Sequence, residues 1–284
     1  MFLEANGLRF CADVKGTGPN MLFIGGTGWD LRIEPNPLGS ILAEHFRVAL
    51  FDQRGMGRSD KPAGPYSMAG YARDAIGILD ALGWDRAHVV GYSFGGMVAQ
   101  EVALLAPDRV DRLVLAATSP GGRGGASFAV ETLLPLPPFE RARRGLEVAD
   151  LRFTAAFQAD NPERSRDMVE RRMRSQTRFI DEPGARQGLE AQLAARARHD
   201  TADRLHRITA PTLILAGADD GQASKDGQAY MLETIPDALF HSLEGSHNFI
   251  FESAACYEAI VAFCEGSGLP DSARQSGKRA STFD

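Results

Sequence analysis

The chain has 284 residues, of which 44% are hydrophobic and 24% are charged, a composition typical of one large globular domain or two small ones. Its formal net charge of −6 gives no indication of a nucleic-acid partner, and its three cysteines are too few for a disulfide framework. The N-terminus lacks a basic leader followed by an apolar run, and no apolar segment is long enough to span a bilayer, so we expect a cytoplasmic protein without a membrane partner.

Short apolar runs rich in β-branched residues recur along the chain between turn residues, which is the pattern of buried strands. The first 14 residues predict a two-stranded hairpin that turns at Asn6-Gly7. Six further strands are predicted at residues 20–24, 47–51, 87–90, 110–116, 212–216 and 239–243. Because these strands are apolar along their length and alternate with helices, we predict an α/β fold with a mostly parallel eight-stranded sheet, covered by helices on both faces.

Helical periodicity accompanies the later strands, and Ser67 is placed to cap one of the helices. In the α/β part, helices are predicted at residues 38–46, 68–82, 97–106, 225–235 and 249–264. Residues 121–125 predict a flexible glycine-rich joint, residues 133–138 are an apolar stretch broken by prolines, and residues 140–207 are helical in pattern and arginine-rich, without a strand candidate. We therefore predict an α/β core of residues 1–120 and 208–265, a helical lid of residues 121–207 inserted after the sixth strand, and a disordered tail of residues 266–284.

The sequence Gly91-Tyr92-Ser93-Phe94-Gly95 is a G-x-S-x-G motif that joins a predicted strand to a predicted helix. In this context the motif indicates a nucleophile elbow, a sharp turn that holds a serine Oγ above the edge of the sheet. The flanking glycines are needed because a side chain there would collide with the neighbouring strand or helix. The alternative is a glycine-rich turn with an incidental serine, so the partners of Ser93 decide between the two.

A base for Ser93 should be a histidine on a loop at the carboxyl end of a later strand. Five of the six histidines lie within elements, at the wrong end of a strand or in the helical insertion: His45, His88, His199, His206 and His241. His247 follows the last predicted strand, and Gly245 gives its loop room to turn towards Ser93. The acid should follow the strand at residues 212–216, where Asp219 and Asp220 are adjacent and only one of them can meet the histidine.

Five motifs together resemble those of the α/β-hydrolase superfamily, over residues 1 to about 265. They are the glycine run at residues 25–28, the D-x-R-G-x-G-x-S at 52–59, the elbow, and the loops at 217–221 and 245–247. The resemblance implies an α/β-hydrolase fold with the chain order serine, acid, histidine. Its G-x-x-D spacing favours Asp220 as the acid, with Asp219 solvated or bracing the loop. It also implies that Asp52 and Arg54 brace their loop rather than react.

An oxyanion hole needs two backbone N–H donors that face the reacting carbonyl oxygen. We expect one from Phe94, the residue after the nucleophile, and the other from the glycine loop after the third strand, where we choose Gly26. Ser93, Asp220 and His247 would then form the catalytic triad. Acyl transfer of this kind requires neither a metal ion nor an organic cofactor.

The segment at residues 192–200 and the loop after Asp220 resemble those of 3-oxoadipate enol-lactonases and related carboxylesterases. This resemblance implies a serine hydrolase that cleaves a small carboxylic ester or lactone with water, through an acyl-enzyme on Ser93. Two alternatives use the same triad: a C–C bond hydrolase and a cofactor-free oxidative variant. A third alternative is a non-catalytic fold of this kind that binds a ligand.

Three residues are candidates for the substrate pocket. Trp29 lies on the predicted oxyanion loop and either lines the pocket or packs under the lid. Arg196 and His199 share a helical face with Gln192 by their spacing, and an arginine there could pair with a substrate carboxylate. The alternative is a solvated helix face with ion pairs to nearby acidic residues.

Overall fold

A computed structural model describes residues 1–268 and 275–276. Its described strands form one sheet with the order β1-β2-β4-β3-β5-β6-β7-β8-β9. The strands are β1 (Phe2–Ala5), β2 (Leu8–Lys15), β3 (Asn20–Ile24), β4 (Arg47–Phe51), β5 (Ala87–Tyr92), β6 (Val110–Ala116), β7 (Thr212–Gly217), β8 (Leu239–Leu243) and β9 (Gln275–Ser276). Neighbours from β4 through β3 to β8 pair in parallel, whereas β1 with β2, β2 with β4 and β8 with β9 pair antiparallel.

The predicted mostly parallel sheet is confirmed, and its first eight strands are those that the apolar runs indicate. Asn6 and Gly7 have φ angles of 52° and 73°, the left-handed conformations that the tight turn between β1 and β2 requires. The short edge strand β9 is not predicted by the sequence pattern. It falls within the tail predicted to be disordered; residues 269–274 and 277–284 of that tail lie outside the described residues.

The α-helices lie mainly where the periodicity predicts them. They are α1 (Leu42–His45), α2 (Met68–Ala81), α3 (Phe94–Leu105), α4 (Pro138–Ala149), α5 (Ala155–Asp160), α6 (Pro162–Thr177), α7 (Ala185–Arg196), α8 (Lys225–Thr234), α9 (Phe249–Glu252) and α10 (Ala254–Glu265). Two predicted helices are interrupted. The first divides into a 3-10 turn and α1 because Ser40 is extended, and the last divides at the extended Ser253. None of the described helices is long and apolar enough to cross a membrane.

Both faces of the sheet are buried, which explains why its strands are apolar at successive positions rather than at alternate ones. In β3, Leu22 and Ile24 join the core layer under α2, α3 and α8, whereas Met21 and Phe23 join the layer under α1 and α10. All four side chains are fully buried. Burial of a large apolar side chain stabilises a fold by roughly 1.5–3 kcal/mol, so the central strands are strongly determined.

Residues 121–207, here called the helical segment, contain α4 to α7 and 3-10 turns between β6 and β7. Their one described β-bridge joins Gly121 to Asp200. Helices α4 and α6 pack around a small apolar cluster of Ala142, Phe153 and Val169. The helical segment therefore has little core of its own, and its position depends on contacts with the loops of the sheet.

Candidate active site

Ser93 stands at a strained turn between β5 and α3. Its φ of 55° and ψ of −115° are rare for a residue with a side chain, and such a conformation costs about 1–3 kcal/mol. A Cβ at Gly91 would collide with the carbonyl of Gly95, and a Cβ at Gly95 would collide with the carbonyl of Ile24. The two glycines thus allow α3 to start directly against β3 and β5, which raises Ser93 at the carboxyl edge of the sheet.

The structure brings Ser93, His247 and Asp220 together in one hydrogen-bonded chain. His247 Nε2 lies 2.9 Å from Ser93 Oγ, and His247 Nδ1 lies 2.8 Å from Asp220 Oδ2. The three residues are buried, with 4%, 5% and 3% of their surface exposed for Ser93, His247 and Asp220. Because Asp220 accepts a hydrogen bond from Nδ1–H, the lone pair of Nε2 faces the serine hydroxyl, and the imidazole can remove the proton of that hydroxyl.

The two adjacent aspartates have different surroundings. Asp220 Oδ1 accepts hydrogen bonds from the backbone N–H groups of Gln222 at 2.8 Å and Ala223 at 3.0 Å, so the carboxylate is held while Oδ2 faces His247. Asp219 is about one-third exposed and faces Arg152 at 3.4 Å. Of the two candidates, Asp220 is therefore the one that contacts the imidazole.

The loop that carries His247 is held from both sides. The hydroxyl of Ser246 donates to Glu252 at 2.8 Å, and the backbone N–H of His247 donates to the carbonyl of Ala149 at 2.7 Å. The ring of Tyr92 lies 5.6 Å from the imidazole, and its hydroxyl donates to Asn248 at 2.8 Å. Burial raises the pKa of Tyr92, so this phenol stays protonated and acts as a neutral neighbour.

The candidate oxyanion donors lie beside the nucleophile. A Cβ placed on Gly26 would be 3.5 Å from the Cβ of Ser93, so the glycine loop passes directly over the serine. Phe94 is the first residue of α3, where backbone N–H groups have no acceptor within the helix. Among the described residues, the amides of Gly26 and Phe94 form no hydrogen bond. Gln53 donates to the carbonyl of Gly25 at 2.9 Å and steadies this loop.

Asp52 and Arg54 occupy bracing positions, as the resemblance implies. Asp52 accepts hydrogen bonds from the backbone of Leu31 at 2.6 Å and Arg58 at 2.9 Å. Desolvation nevertheless raises the pKa of its buried carboxyl to about 6. Arg54 forms an ion pair with the buried Asp74 on α2.

Trp29 packs against apolar neighbours next to the glycine loop. Its ring covers Gly25 and lies 5.5 Å from the ring of Phe251 and 6.2 Å from that of Phe23. The indole nitrogen is buried without a hydrogen-bond partner among the described residues. The residue is half-buried, so part of the indole is available to line a pocket.

Gln192, Arg196 and His199 lie on a buried face rather than on a solvated one. Arg196 donates to the carbonyl of Phe128 at 2.8 Å and to Glu131 at 3.3 Å, so its charge is compensated within the helical segment. Neither nitrogen of His199 forms a well-aligned hydrogen bond with a described residue. Desolvation lowers the pKa of its imidazole to about 3, against the opposing effect of the Ser119 backbone.

Two glutamines with direct contacts to the site were not predicted as site residues. Gln192 accepts a hydrogen bond from the backbone of Gly28 at 2.8 Å, and its amide nitrogen is buried near the hydroxyl of Tyr71 without a well-aligned hydrogen bond among the described residues. Gln222 places its Nε2 2.8 Å from Nε2 of His247. The position of Gln222 two residues after the acid, within the same loop, is the sequence signal that could have identified it.

A cleft lies between the helical segment and the core, but the three triad residues do not line it. It is bordered by Gly28, Met56, Phe179, Ile180 and Leu189, among others. The triad is therefore covered, not open to this cleft. Within residues 1–268, no group of three or more histidine, cysteine, aspartate or glutamate side chains is arranged to hold a metal ion.

Comparisons with known proteins show similarity of sequence and of fold. The chain is 32% identical over 259 residues to a protein of Variovorax paradoxus provisionally named a carbamate hydrolase, covering 89% of this chain and 94% of that one. It is 29% identical over 242 residues to a 3-oxoadipate enol-lactonase of Acinetobacter baylyi, covering 84% and 86%. The solved enol-lactonase of Burkholderia xenovorans superposes with a TM-score of 0.74 at 22% identity, covering 94% and 100%, which shows a shared fold.

A family profile described as alpha/beta hydrolase fold matches residues 19–254, a range that includes Gly26, Ser93, Asp220 and His247. This match spans most of the chain and agrees with the sheet order and with the elbow between β5 and α3. The chain therefore belongs to the α/β hydrolase family, and it is a hydrolase of this fold.

Proposed function

We propose that this hydrolase cleaves a small carboxylic ester or lactone through an acyl-enzyme on Ser93. The observation that carries the proposal is the buried chain of hydrogen bonds from Ser93 through His247 to Asp220, with distances of 2.9 and 2.8 Å. The similarity to an enol-lactonase and to a protein provisionally named a carbamate hydrolase supports cleavage next to a carbonyl group. They do not distinguish esters, lactones and carbamates.

The mechanism begins when Ser93 Oγ attacks the carbonyl carbon and its proton passes to His247 Nε2. Asp220 keeps the imidazole in the correct tautomer and stabilises the imidazolium. The amides of Gly26 and Phe94 donate to the oxyanion, and each such donor contributes roughly 2.7–4 kcal/mol to stabilisation of the transition state. The imidazolium then protonates the leaving oxygen, and a water molecule deprotonated by His247 releases the acid.

The helical segment acts as a lid over the core of residues 1–120 and 208–265. Four contacts support this role, because each joins the helical segment to a loop of the site. The hydrogen bonds are Gly28 to Gln192, Phe128 to Gln222, His247 to Ala149, and Leu151 to Asp219. Since the triad is at most 5% exposed beneath these contacts, substrate entry requires part of the lid to move.

The pocket proposed for the substrate lies under α7 and next to Trp29. Gln192 and His199 offer buried nitrogens that form no well-aligned hydrogen bond with the described residues, and these nitrogens suit the oxygen atoms of a neutral ester or lactone. Arg196 is proposed to shape this pocket and not to bind a carboxylate, because Glu131 already compensates its charge. A C–C bond hydrolase, which would use the same triad, is the alternative reaction to be compared in the substrate panel.

Labelling with a fluorophosphonate probe, followed by peptide mapping, tests the proposed function. We expect the probe on Ser93 in the wild type and no labelling in Ser93→Ala. The matched control is Ser242→Ala, an exposed serine in β8 that should label and turn over normally. A panel of esters, lactones, carbamates and β-diketones then identifies the bond cleaved. Labelling at another residue, or turnover that survives Ser93→Ala, would refute the proposal, whereas binding without turnover would favour the ligand-binding alternative.

A further inference from the structure

Gln222 places its carboxamide on the nitrogen of His247 that must accept the serine proton. Gln222 Nε2 lies 2.8 Å from His247 Nε2, which is also 2.9 Å from Ser93 Oγ. Gln222 is buried, with 8% of the residue exposed, so water does not compete for this contact. Two hydrogen-bond donors thus approach a single ring nitrogen.

Only one lone pair is available to these two donors. Asp220 Oδ2 lies 2.8 Å from His247 Nδ1 and acts as an acceptor, so the ring proton is on Nδ1 and Nε2 carries one in-plane lone pair. One lone pair does not accept two linear hydrogen bonds at full strength. The amide of Gln222 therefore competes with the hydroxyl of Ser93.

The backbone of Gln222 is fixed on both sides of its side chain. Its N–H donates to Asp220 Oδ1 at 2.8 Å, and its carbonyl accepts from the N–H of Phe128, also at 2.8 Å. Phe128 belongs to the helical segment, so both the acid loop and the lid hold this backbone. While this backbone stays in place, the carboxamide can leave His247 only by rotation of the side-chain torsions.

We propose that Gln222 is a positioning residue that occupies the Nε2 lone pair in the free enzyme and is displaced when substrate binds. This inference rests on the proposed function of Ser93 and His247. In the chemical step the Oγ–H bond breaks, a bond forms between Nε2 and that proton, and the Oγ electron pair attacks the carbonyl carbon. Nε2 then has no lone pair to accept the Gln222 N–H, so the resting contact cannot persist through the step.

The competition has a defined pH signature. The Gln222 N–H stabilises the neutral imidazole but not the imidazolium, so it makes protonation of the free site harder. Removal of this donor should move the acid limb of kcat/KM to higher pH, because that limb reports the free enzyme. The limb of kcat, which reports the substrate complex, should stay in place. The kcat/KM profiles of the wild type and of a variant without the donor should coincide at low pH. On the plateau the variant should be faster, and the logarithm of the ratio of the two kcat/KM values should equal the shift of the acid limb in pH units.

Other charged and titratable groups contact His247 or the residues around it, and they stay constant in this comparison. They come from the loop after β7, from β5, from α9 and from the helical segment: Asp220, Tyr92, Glu252, Arg172 and the Asp219–Arg152 pair. Arg172 on α6 lies close enough to Tyr92 to interact with it, and it forms no ion pair with a described residue. A variant that changes only Gln222 leaves these groups in place, so the shift isolates its amide.

The test compares pH profiles of the wild type, Gln222→Met and Gln222→Glu with p-nitrophenyl acetate. Methionine keeps the length of the side chain and lacks the donor. In Gln222→Met we expect the acid limb of kcat/KM to move to higher pH by roughly half to one unit, which corresponds to the net free energy of one neutral hydrogen bond. The plateau should be about 3- to 10-fold higher than in the wild type. Gln222→Glu, which offers an acceptor to the imidazolium, should move the limb further in the same direction.

The matched control is Gln187→Met, an exposed glutamine on α7, which should leave both profiles unchanged. A purely structural role for Gln222 would lower kcat/KM at every pH without moving the limb, and that result would overturn the inference. If the chain proves not to turn over esters, the ring of His247 can be titrated by NMR in the wild type and Gln222→Met. An unchanged midpoint there overturns the inference independently of Ser93 labelling.

Discussion

The loops at the carboxyl edge of the sheet and the helical segment contribute to one site in different ways. The loops hold Ser93, Asp220 and His247 through backbone geometry: a strained φ at residue 93, glycines without room for a Cβ, and backbone donors to Asp220. The helical segment is held by side-chain contacts, such as those of Gln192 and Arg196, whose partners lie far away in the chain. Backbone geometry therefore fixes the reacting groups, whereas side-chain contacts fix the segment that we propose as the lid.

The largest effect that separates the two regions should come from the adjacent aspartates. Asp220→Asn should lower kcat about 10⁴-fold, because an amide at this position disfavours the Nδ1–H tautomer. Asp219→Asn should change kcat by less than about threefold, since its side chain faces Arg152. Steady-state kinetics with p-nitrophenyl acetate measure both. Similar losses in the two variants would show that the whole loop, and not the carboxylate of Asp220, is responsible.

Glycine replacements test whether the core tolerates an added Cβ less well than the helical segment does. Gly95→Ala should destabilise the fold by about 3 kcal/mol, because its Cβ would collide with the backbone carbonyl of Ile24. Gly145→Ala on α4 should cost less than about 1 kcal/mol, since its Cβ would meet only the end of the Arg172 side chain at 3.0 Å and alanine favours the helix. Urea unfolding measures both changes. Equal costs would contradict the distinction.

Low pH should lower the unfolding free energy through His199, which is buried in the helical segment. Its folded pKa is lowered from 6.5 to about 3, so the contribution is fully present above pH 6.5 and is lost as pH falls towards 3. Between pH 7 and pH 5 the unfolding free energy should fall by about 2 kcal/mol from this residue alone. His199→Leu should remove that part of the slope, whereas replacement of the exposed His206 by Gln should keep it. An unchanged slope in His199→Leu would show that the imidazole is not the cause.

The Arg196–Glu131 pair should have the smallest effect. The Glu131 side chain is 28% exposed and lies 3.3 Å from the guanidinium, so we expect Glu131→Gln to lower the unfolding free energy by only about 1 kcal/mol. Arg196→Met should change the ratio of kcat/KM for neutral and carboxylate-bearing esters by less than about threefold. A loss of kcat/KM confined to the carboxylate-bearing ester would instead show that Arg196 binds the substrate carboxylate.

The sequence predicts the sheet and the meeting of Ser93, Asp220 and His247 because each of these features has a short local sequence pattern. Apolar runs identify the strands, and strand ends identify the loops. It fails where the outcome depends on distant contacts. The partner of Arg196 lies 65 residues away, at Glu131, and the contact of Gln222 with His247 depends on an exact meeting of two loops. The helix breaks at Ser40 and Ser253 were also missed, because serine is compatible with either conformation.

The central claim is that acyl transfer passes through Ser93, and rapid-quench mass spectrometry tests it most directly. After brief mixing with p-nitrophenyl acetate, peptide analysis should find one acetyl group on the peptide that contains Ser93, and its decay should match the steady-state rate. Acetylation of a different residue, or turnover of the ester with no acetylated Ser93 at any time, would contradict the account.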